Sequence, residues 1–505
     1  MITVLRHFRI VDRDTDITGS VIIENGLIRE VIPGDADCPD NVLFDKQLER
    51  TSVEAALVIE GWNLLPREDA PSANLTVRYP VLMPAFVDLH AHLRDPGLTE
   101  KENLEAACLA AAAGGYGTVV CMANTVPVTD TPEKAAAVKT RADVLGLIDL
   151  YPVLSLSKNM EGRELSGITR LLSGQSEKPA SCSSMPRPFV PHPPLFIKMI
   201  SEDGKDIVRD DLFLAGMKEA RRLGIPVSCH CDAGGGEAEA AKREGKPRSV
   251  WARIEENNAT RRAIALGREA GCRLHIAHVS TKEAAEMVRQ TKKEIEESTG
   301  EGDGAENSAD LRRFPASGFT LTCEAAPHHI ALTEEDAYAL GCESYGRVNP
   351  PLRAETDRLA LIAAILDGTI DAIATDHAPH TPADKEKGAP GFTGLETGFA
   401  VCCSVLLTGQ ASTNGEQGAG LSRLSALLSA NPAAILGLRD RGRIAPGLRA
   451  DLTIADPDAV WTVDPACFKS RGKNSPFIGR ELRGKVLMTL HGGRPVFESA
   501  GQIDT

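Results

Sequence analysis

Short apolar runs alternate with longer helix-like stretches from about residue 80 to residue 410. The runs are continuously apolar and rich in β-branched residues, which is typical of parallel strands buried on both faces. The predicted strands are 86–90, 118–122, 149–155, 196–200, 225–229, 273–277, 319–324 and 371–375. The predicted helices between them are 100–113, 132–145, 211–223, 250–270, 282–293 and 356–366. This alternation predicts an α/β fold, a (β/α)₈ barrel of the TIM type. A doubly wound open sheet is the alternative, but no glycine-rich nucleotide turn follows any strand.

The two ends of the chain show a different pattern. Residues 1–80 and 440–505 contain short strand-like segments bounded by turn residues, such as 19–26, 450–456 and 484–490. We expect these flanks to form one small β-sandwich, with the barrel over 81–439 inserted between them. Polar insertions at 35–73, at about 173–194 and at 294–317 have the composition of surface loops.

The composition is that of an ordinary globular protein with an acidic balance. The chain has 505 residues, 42% hydrophobic and 25% charged, and a formal net charge of −14. This charge argues against nucleic acid or an anionic membrane as a partner, although a local cation suffices to bind a small anion. We expect no signal peptide, and no apolar run of about 18 residues predicts a membrane span. The 12 cysteines lack paired metal-ligand spacing, so we expect reduced thiols and a cytoplasmic protein.

Polar side chains that can bind metals recur where the predicted strands end. His90 and His92 close the first strand, and a spacing of two residues points both imidazoles to the same side. Arg94 follows them and can bind a carboxylate through two hydrogen bonds. Near the ends of later strands lie Asp203, His230, His278 and Asp376. Any one of these would more often be structural, but strand ends of a barrel share one mouth, where active sites lie. Imidazoles and carboxylates together there predict a site for zinc or a similar metal.

Several motifs give this pattern a family resemblance. They are His-Leu-Arg-Asp-Pro-Gly (92–97), Ala-Asn-Thr-Val-Pro-Val (123–128), Ala-His-Val-Ser-Thr (277–281), Asn-Pro-Pro-Leu-Arg (349–353) and Ala-Thr-Asp-His-Ala-Pro-His (374–380). Together they resemble the amidohydrolase superfamily, and within it the dihydroorotases of bacterial type I, over about residues 80–455. Related allantoinases and hydantoinases share the metal residues. They usually lack the Leu-Arg-Asp-Pro-Gly and Asn-Thr-x-Pro segments, which favours dihydroorotase.

The resemblance implies a centre of two zinc ions. One ion would be held by His90, His92 and Asp376, and the other by His230 and His278. Asp203 would bridge the two ions. A carboxylated Lys198, in the context Phe-Ile-Lys-Met-Ile, is the alternative bridge; Asp203 is favoured, and the choice stays open.

The implied activity is the zinc-dependent, reversible hydrolysis of (S)-dihydroorotate to N-carbamoyl-L-aspartate in de novo pyrimidine biosynthesis. Asp376 would act as general base and then as general acid. Substrate contacts are expected from Arg94, Asn124 and His380 to the side carboxylate, from Asn349 to the ring amide, and from the backbone at Gly391 in a mobile loop.

Two alternative functions remain beside this one. A related cyclic amidohydrolase, an allantoinase or a hydantoinase, would give Arg94 no carboxylate to bind. A non-catalytic scaffold for aspartate transcarbamoylase is disfavoured, since such relatives have typically lost metal ligands and this chain retains every one. A homodimer and an association with aspartate transcarbamoylase are both open at this point.

Overall fold

The computed structural model describes residues 2–34, 57–65, 79–173, 196–232, 235–299, 318–408 and 419–499. Most of the predicted polar insertions therefore lie outside the described residues. Within them, 57–60 form a strand and 294–299 form the end of a helix.

The strands are β1 Ile2–Val11, β2 Asp16–Glu24, β3 Leu27–Pro33, β4 Leu57–Glu60, β5 Val81–Pro84, β6 Phe86–Ala91, β7 Tyr116–Cys121, β8 Asp149–Pro152, β9 Leu154–Ser155, β10 Ile200–Ser201, β11 Val227–Cys229, β12 Arg273–Ile276, β13 Thr320–Ala325, β14 Ala372–Ile373, β15 Leu452–Thr462, β16 Glu481–His491 and β17 Arg494–Glu498. The α-helices are α1 Leu104–Ala113, α2 Pro132–Leu145, α3 Arg170–Ser173, α4 Asp210–Leu223, α5 Gly235–Arg243, α6 Arg248–Ala270, α7 Lys282–Thr299, α8 Pro327–Ala331, α9 Glu334–Leu340, α10 Glu355–Asp367, α11 Pro382–Glu386, α12 Gly398–Cys402, α13 Leu421–Ser425 and α14 Asn431–Ile435. Short 3₁₀ turns lie at Gly61–Leu64, Lys158–Met160, Gly167–Thr169 and Pro465–Cys467, and π-helical turns at Gly341–Tyr345, Cys403–Leu407 and Ala426–Ala430.

The two flanks of the chain share one mixed sheet of eight strands. Its order is β17-β16-β15-β5-β1-β2-β3, with β4 paired to β1. The antiparallel pairing of β15 with β5 joins the C-terminal flank to the N-terminal one. Apolar side chains of both flanks, such as Phe8, Ile23 and Leu452, lie in one buried cluster. The strand β5 belongs to this sheet, so the flank structure extends past residue 80 to Pro84.

Parallel strands close into the predicted barrel. One parallel sheet holds β6, β7 and β8, and a second holds β9 to β14. β8 and β9 form one strand interrupted at Val153, whose amide donates to the Cys121 carbonyl at 2.9 Å. The circle closes through a parallel bridge between Ala91 and His377. The prediction of an α/β barrel combined with a β-structure from both flanks is confirmed.

Local sequence signals set the bounds of the barrel helices. Asn103 and Thr131 each accept a hydrogen bond from a first-turn amide, and so cap α1 and α2. Pro132 occupies the first turn of α2, where its missing N–H leaves no bond unmade. The six predicted helices correspond to α1, α2, α4, α6, α7 and α10. Among the described residues, no helix is long and apolar enough to cross a membrane.

Gly115 joins α1 to β7 and brings the barrel against the flank sheet. Its carbonyl accepts hydrogen bonds from the Phe86 amide at 2.9 Å and from Thr453 Oγ1 at 2.7 Å. Its φ of +88° lies in the left-handed region. A Cβ there would lie 2.6 Å from the Phe86 ring and 2.9 Å from Thr453 Cγ2.

Gly115→Ala is therefore expected to lower the free energy of unfolding by about 2–4 kcal/mol, through backbone strain and overpacking together. Denaturant unfolding measures the change. Gly146→Ala is the matched control: Gly146 has a φ of +63°, but its added Cβ would meet nothing within 4 Å. In the control the free energy of unfolding should fall by about 1 kcal/mol, from backbone strain alone. Equal losses in the two variants would contradict the packing argument.

Candidate metal centre and substrate site

The residues predicted to bind metals lie together, buried at the C-terminal mouth of the barrel. They are His90 and His92 at the end of β6, Asp203 after β10, His230 after β11, His278 after β12 and Asp376 after β14. Asp203 is central, because its Oδ1 lies 3.2 Å from His90 Nε2 and 3.0 Å from His230 Nδ1. Asp376 Oδ1 lies 3.3 Å from His92 Nε2 and 3.7 Å from His90 Nε2. The structure thus brings together side chains from five different strands.

This donor set fits divalent metal ions. Imidazole nitrogens and carboxylate oxygens are the ligands that zinc and its neighbours take. The ligand atoms of two overlapping groups, His90 with Asp203 and His278, and His90 with His92 and Asp376, lie within 4.8 Å of one another. Within the described part of the chain, His90 Nε2 and Asp203 Oδ1 are buried without a hydrogen-bond partner of suitable geometry. Such atoms are costly to bury unless a further group binds them.

Electrostatics within the centre keep its carboxylates ionised. Burial acts to raise the pKa of Asp376, but the hydrogen bond to His92 and the nearby His90 and His278 lower this pKa below its usual range. Burial likewise acts to raise the pKa of Asp203, and the three imidazoles around it lower it well below the usual range. Burial and the neighbouring imidazoles lower the pKa of His278. Burial also acts to lower the pKa of His90 and of His230, but the nearby Asp203 raises both well above the usual range. The carboxylates are therefore ionised, which is the form that binds metal ions, and a bound cation would displace the protons of the imidazoles.

Backbone strain is concentrated at this mouth. Arg94, His278 and Asp376 have φ values of +59°, +32° and +48°, in a region that non-glycine residues rarely occupy. Each such residue costs about 1–3 kcal/mol and persists only where the surrounding structure holds it. The strain indicates that these side chains are aimed into the mouth at the expense of stability.

Glu324, at the end of β13, orients two histidines, a role that the sequence pattern did not predict. Its Oε1 lies 3.1 Å from His90 Nδ1 and its Oε2 lies 3.0 Å from His275 Nε2. Burial acts to raise the pKa of Glu324, but the hydrogen bonds to His275 and His90 lower it to about 2. With Nδ1 donating to this carboxylate, His90 presents its Nε2 lone pair to the centre. The only sequence signal for this role of Glu324 was its place as a carboxylate at the end of the predicted seventh strand.

Lys198 lies away from the metal ligands. It is half-buried before β10, burial lowers its pKa, and its charged neighbours are Asp440 and Arg441. Arg441 Nη1 donates to Asp149 Oδ2 at 2.6 Å, and Asp149 is the first residue of β8. Lys198 is therefore placed toward the N-terminal ends of the strands. Asp203 lies among the imidazoles at the opposite ends.

Arg94 and His380 lie side by side next to the centre. Arg94 Nη2 is 3.3 Å from His380 Nε2, and His380 Nε2 is 2.9 Å from the Pro390 carbonyl, to which it donates. Burial lowers the pKa of Arg94 to about 10, and Asp203 and Asp376 oppose that shift. Burial, with the charge of Arg94, lowers the pKa of His380 to about 3. At neutral pH Arg94 therefore offers a cation that suits a carboxylate group, while the single ring proton of the neutral His380 is donated to the Pro390 carbonyl.

Asn124 contacts two of the predicted metal ligands. Its Oδ1 accepts a hydrogen bond from His92 Nδ1 at 3.0 Å, and its Nδ2 donates to Asp203 Oδ2 at 3.2 Å. The amide thus fixes the orientation of the His92 ring, with Nε2 toward the centre. A substrate contact from Asn124 would use the remaining N–H of the same amide.

Asn349 lies against His230 on the other side of the mouth. Its Nδ2 is 3.2 Å from His230 Nε2, and its Oδ1 accepts a hydrogen bond from Arg248 Nη2 at 3.0 Å. Arg248 also donates to the Val348 carbonyl at 2.9 Å, so it holds the backbone of this segment. Nothing in the sequence pattern around Arg248 indicates this role.

Gly391 packs too closely against the His380 segment for a side chain. Its φ is +129°, and a Cβ there would lie 2.5 Å from Ala378 Cβ and 3.5 Å from His380 Nε2. Its amide donates to the Arg347 carbonyl at 3.0 Å. The loop around Gly391 is thus buried and hydrogen-bonded.

Glu324→Gln is expected to weaken metal binding about 10- to 100-fold, because a neutral amide orients and polarises His90 less well than a carboxylate. Competition with a metal-sensitive chelator dye measures the affinity directly, without an activity assay. Glu269→Gln, an exposed position on α6, serves as the matched control. Equal metal affinity in both variants would contradict the orienting role of Glu324.

Comparison with known proteins places the chain in a family. Residues 81–496 match the model of the amidohydrolase family. A dihydroorotase of Clostridium botulinum is 33% identical over 490 residues, which cover 97% of this chain and 98% of that protein. A dihydroorotase of Clostridium acetobutylicum is 36% identical over 428 residues, 83% of this chain and 88% of that protein.

Solved structures share the fold at lower identity. The L-hydantoinase from Arthrobacter aurescens superposes with a TM-score of 0.73 at 22% identity, over 99% of this chain and 97% of that one. The dihydropyrimidinase from Brevibacillus agri superposes with a TM-score of 0.71 at 18% identity, over 100% of this chain and 96% of that one. The extent of these matches agrees with the buried histidines and carboxylates at the barrel mouth. The chain therefore belongs to the amidohydrolase family and, within it, to the dihydroorotases.

Proposed function

We propose that the protein is a metal-dependent dihydroorotase, which interconverts (S)-dihydroorotate and N-carbamoyl-L-aspartate in de novo pyrimidine biosynthesis. The observation that carries the proposal is the convergence of six ligand side chains beside Arg94 at one barrel mouth. This geometry stands in a chain that aligns with dihydroorotases over nearly its whole length. The biosynthetic direction is ring closure, the reverse of hydrolysis.

We assign the metal centre to two zinc ions. His90, His92 and Asp376 would hold one ion, and His230 and His278 would hold the other. Asp203 would bridge them, supported by its contacts with imidazoles of both groups and by the charged neighbours of Lys198, Asp440 and Arg441, which are not among the predicted ligands. When bound, such ions lower the pKa of a water molecule and polarise the scissile carbonyl.

Asp376 would move the proton during hydrolysis. Its carboxylate is ionised at neutral pH, since the surrounding imidazoles hold its pKa low. It would accept the proton of the attacking water as the C–O bond forms, and deliver it to the ring nitrogen as the C–N bond breaks. Proton transfer of this kind contributes about 10²- to 10⁴-fold in rate.

The remaining predicted residues would recognise the substrate. Arg94 supplies a cation beside the centre that suits the side carboxylate of dihydroorotate, and His380 lies against it. Asn349 would bind the ring amide, and the backbone at Gly391 would approach the ring closely. Asn124 would contribute both to the carboxylate and to the orientation of His92.

The alternatives are weaker on specific grounds. A hydantoinase or an allantoinase would leave the charge of Arg94 without a substrate carboxylate, and the hydantoinase structures share only the fold with this chain. A non-catalytic scaffold for aspartate transcarbamoylase would not need a complete donor set. A cytoplasmic location, a homodimer and an association with aspartate transcarbamoylase stay predictions from the sequence.

Assays with dihydroorotate, allantoin and hydantoin side by side test the substrate. We expect turnover of dihydroorotate to dominate. In Arg94→Met the KM for dihydroorotate should rise about 10- to 100-fold, since a charged hydrogen bond contributes about 1.5–3 kcal/mol. Arg209→Met, an exposed position, should behave as the unaltered protein. Dominant turnover of hydantoin would overturn the proposal, and normal dihydroorotate binding by the Arg94 variant would remove its specificity argument.

Asp376→Ala should lower kcat by at least about 10³-fold, because it removes both a metal ligand and the proton carrier. Metal content, circular dichroism and initial rates are measured together. Asp143→Ala, at an exposed position, is the control. The unaltered protein should lose activity on chelation and regain it with zinc. A chelated preparation with undiminished activity would count against the metal-dependent mechanism.

A further inference from the structure

Lys385 is a buried lysine whose ammonium binds three backbone carbonyls. Its side chain lies on α11 and the residue is 0% exposed. Nζ donates to the carbonyls of Arg347, Ala389 and Gly391, each at 2.9 Å. All three protons of the ammonium are therefore used, which is the full donor capacity of a lysine.

These carbonyls belong to the two segments on which the proposed substrate contacts lie. Arg347 is two residues before Asn349, and Ala389 and Gly391 belong to the loop beside His380. The two segments also meet directly, since the Gly391 amide donates to the Arg347 carbonyl at 3.0 Å. Lys385 thus lies at the junction of the Asn349 segment and the Gly391 loop.

The position of Lys385 is itself fixed relative to His380. Thr381 and Asp384 form a capping box at the start of α11, with the Asp384 amide donating to Thr381 Oγ1 at 3.2 Å. Lys385 follows directly, so its stem starts from a rigid turn of helix five residues after His380. The ammonium therefore relates the position of the Gly391 loop to that of His380.

Asn474 holds the same loop from the C-terminal part of the chain. Its Nδ2 donates to the carbonyls of Gly391 and Ala378, each at 3.0 Å, and its Oδ1 accepts from the His380 amide at 2.9 Å. The Gly391 carbonyl consequently receives two side-chain hydrogen bonds, one from Lys385 and one from Asn474. A peptide group held in this way has one orientation.

A charged group at this place is costly for folding. Burial, with the charges of Arg347 and Arg248, lowers the pKa of Lys385 to about 7. An apolar side chain of similar size would avoid the desolvation cost. The ammonium instead makes three directed hydrogen bonds to two different segments, and these bonds position the segments relative to each other.

We propose that Lys385 is a positioning residue for substrate binding, whose ammonium holds the Gly391 loop and the Asn349 segment in register across the mouth. The inference rests on the proposed function. It adds that affinity for dihydroorotate depends on a residue that does not contact the substrate or the metal ligands.

Lys385→Met tests this, with Lys387→Met as the matched control at an exposed position of the same segment. In Lys385→Met the KM for dihydroorotate should rise about 10-fold or more while kcat falls less than about 3-fold, because binding and not chemistry is affected. Metal content should stay unchanged. Dihydroorotate turnover by the unaltered protein tests the proposed function separately. If that turnover is present and Lys385→Met keeps a normal KM, the inference alone fails.

A double-mutant cycle with Gly391→Ala identifies the route of the effect. If Lys385 acts through the loop, the KM effects of Lys385→Met and Gly391→Ala should be strongly non-additive. Additive effects would show that Lys385 acts elsewhere and would overturn the inference. Hydrogen exchange of the 391–393 amides should accelerate in Lys385→Met and not in Lys387→Met. Should Lys385→Met fail to fold, Lys385→Gln takes its place, since the amide keeps a shorter donor, and the same outcomes decide.

Discussion

Closure of the barrel between its first and last strands is the constraint on which the site depends. The His92 amide donates to the His377 carbonyl at 2.7 Å, beside the bridge between Ala91 and His377. This contact puts the two histidines of β6 next to Asp376 after β14. Asp88 strengthens the same seam, since its carboxylate accepts from the Thr375 amide at 2.9 Å and from Thr375 Oγ1 at 2.5 Å. Without this seam, residues from opposite ends of the barrel sequence would not lie within reach of one metal ion.

The hydrogen-bond partners of the centre explain how so many ionisable groups can be buried in one place. Each carboxylate of the centre is surrounded by imidazoles, and Glu324 and Asn124 bind the outer nitrogens of His90 and His92. The outer partners fix which nitrogen of each ring faces inward. A cluster arranged in this way is unfavourable for folding when its inner atoms are unpartnered and becomes favourable when cations bind. Metal binding at this cluster would therefore stabilise the fold.

The sequence predicts those features that depend on local pattern. Continuously apolar runs predicted the barrel strands, and a histidine or aspartate just after such a run predicted a place at the mouth. Features that depend on three-dimensional packing were not predictable. Glu324 ends a strand as the ligands do, but only its contact with His90 Nδ1 reveals its role. The fourth strand is Ile200–Ser201, later than the predicted 196–200, and this shift decides where Lys198 and Asp203 lie. Lys385 has no signal at all, because its partners are backbone carbonyls of distant segments.

The C-terminal segment outside the barrel belongs to the site as well as to the flank sheet. Asn474 binds the Gly391 loop and the His380 amide. A few residues earlier, Ser470 contacts Glu102, whose Oε2 lies 3.7 Å from His377 Nε2. Hydrogen bonds of Asn474 thus connect this segment to the Gly391 loop, and Ser470 reaches Glu102, whose carboxylate lies close to His377 beside Asp376. A barrel ending near residue 440 would lack Asn474, the side chain that holds the Gly391 loop, and the family match extends past it to residue 496.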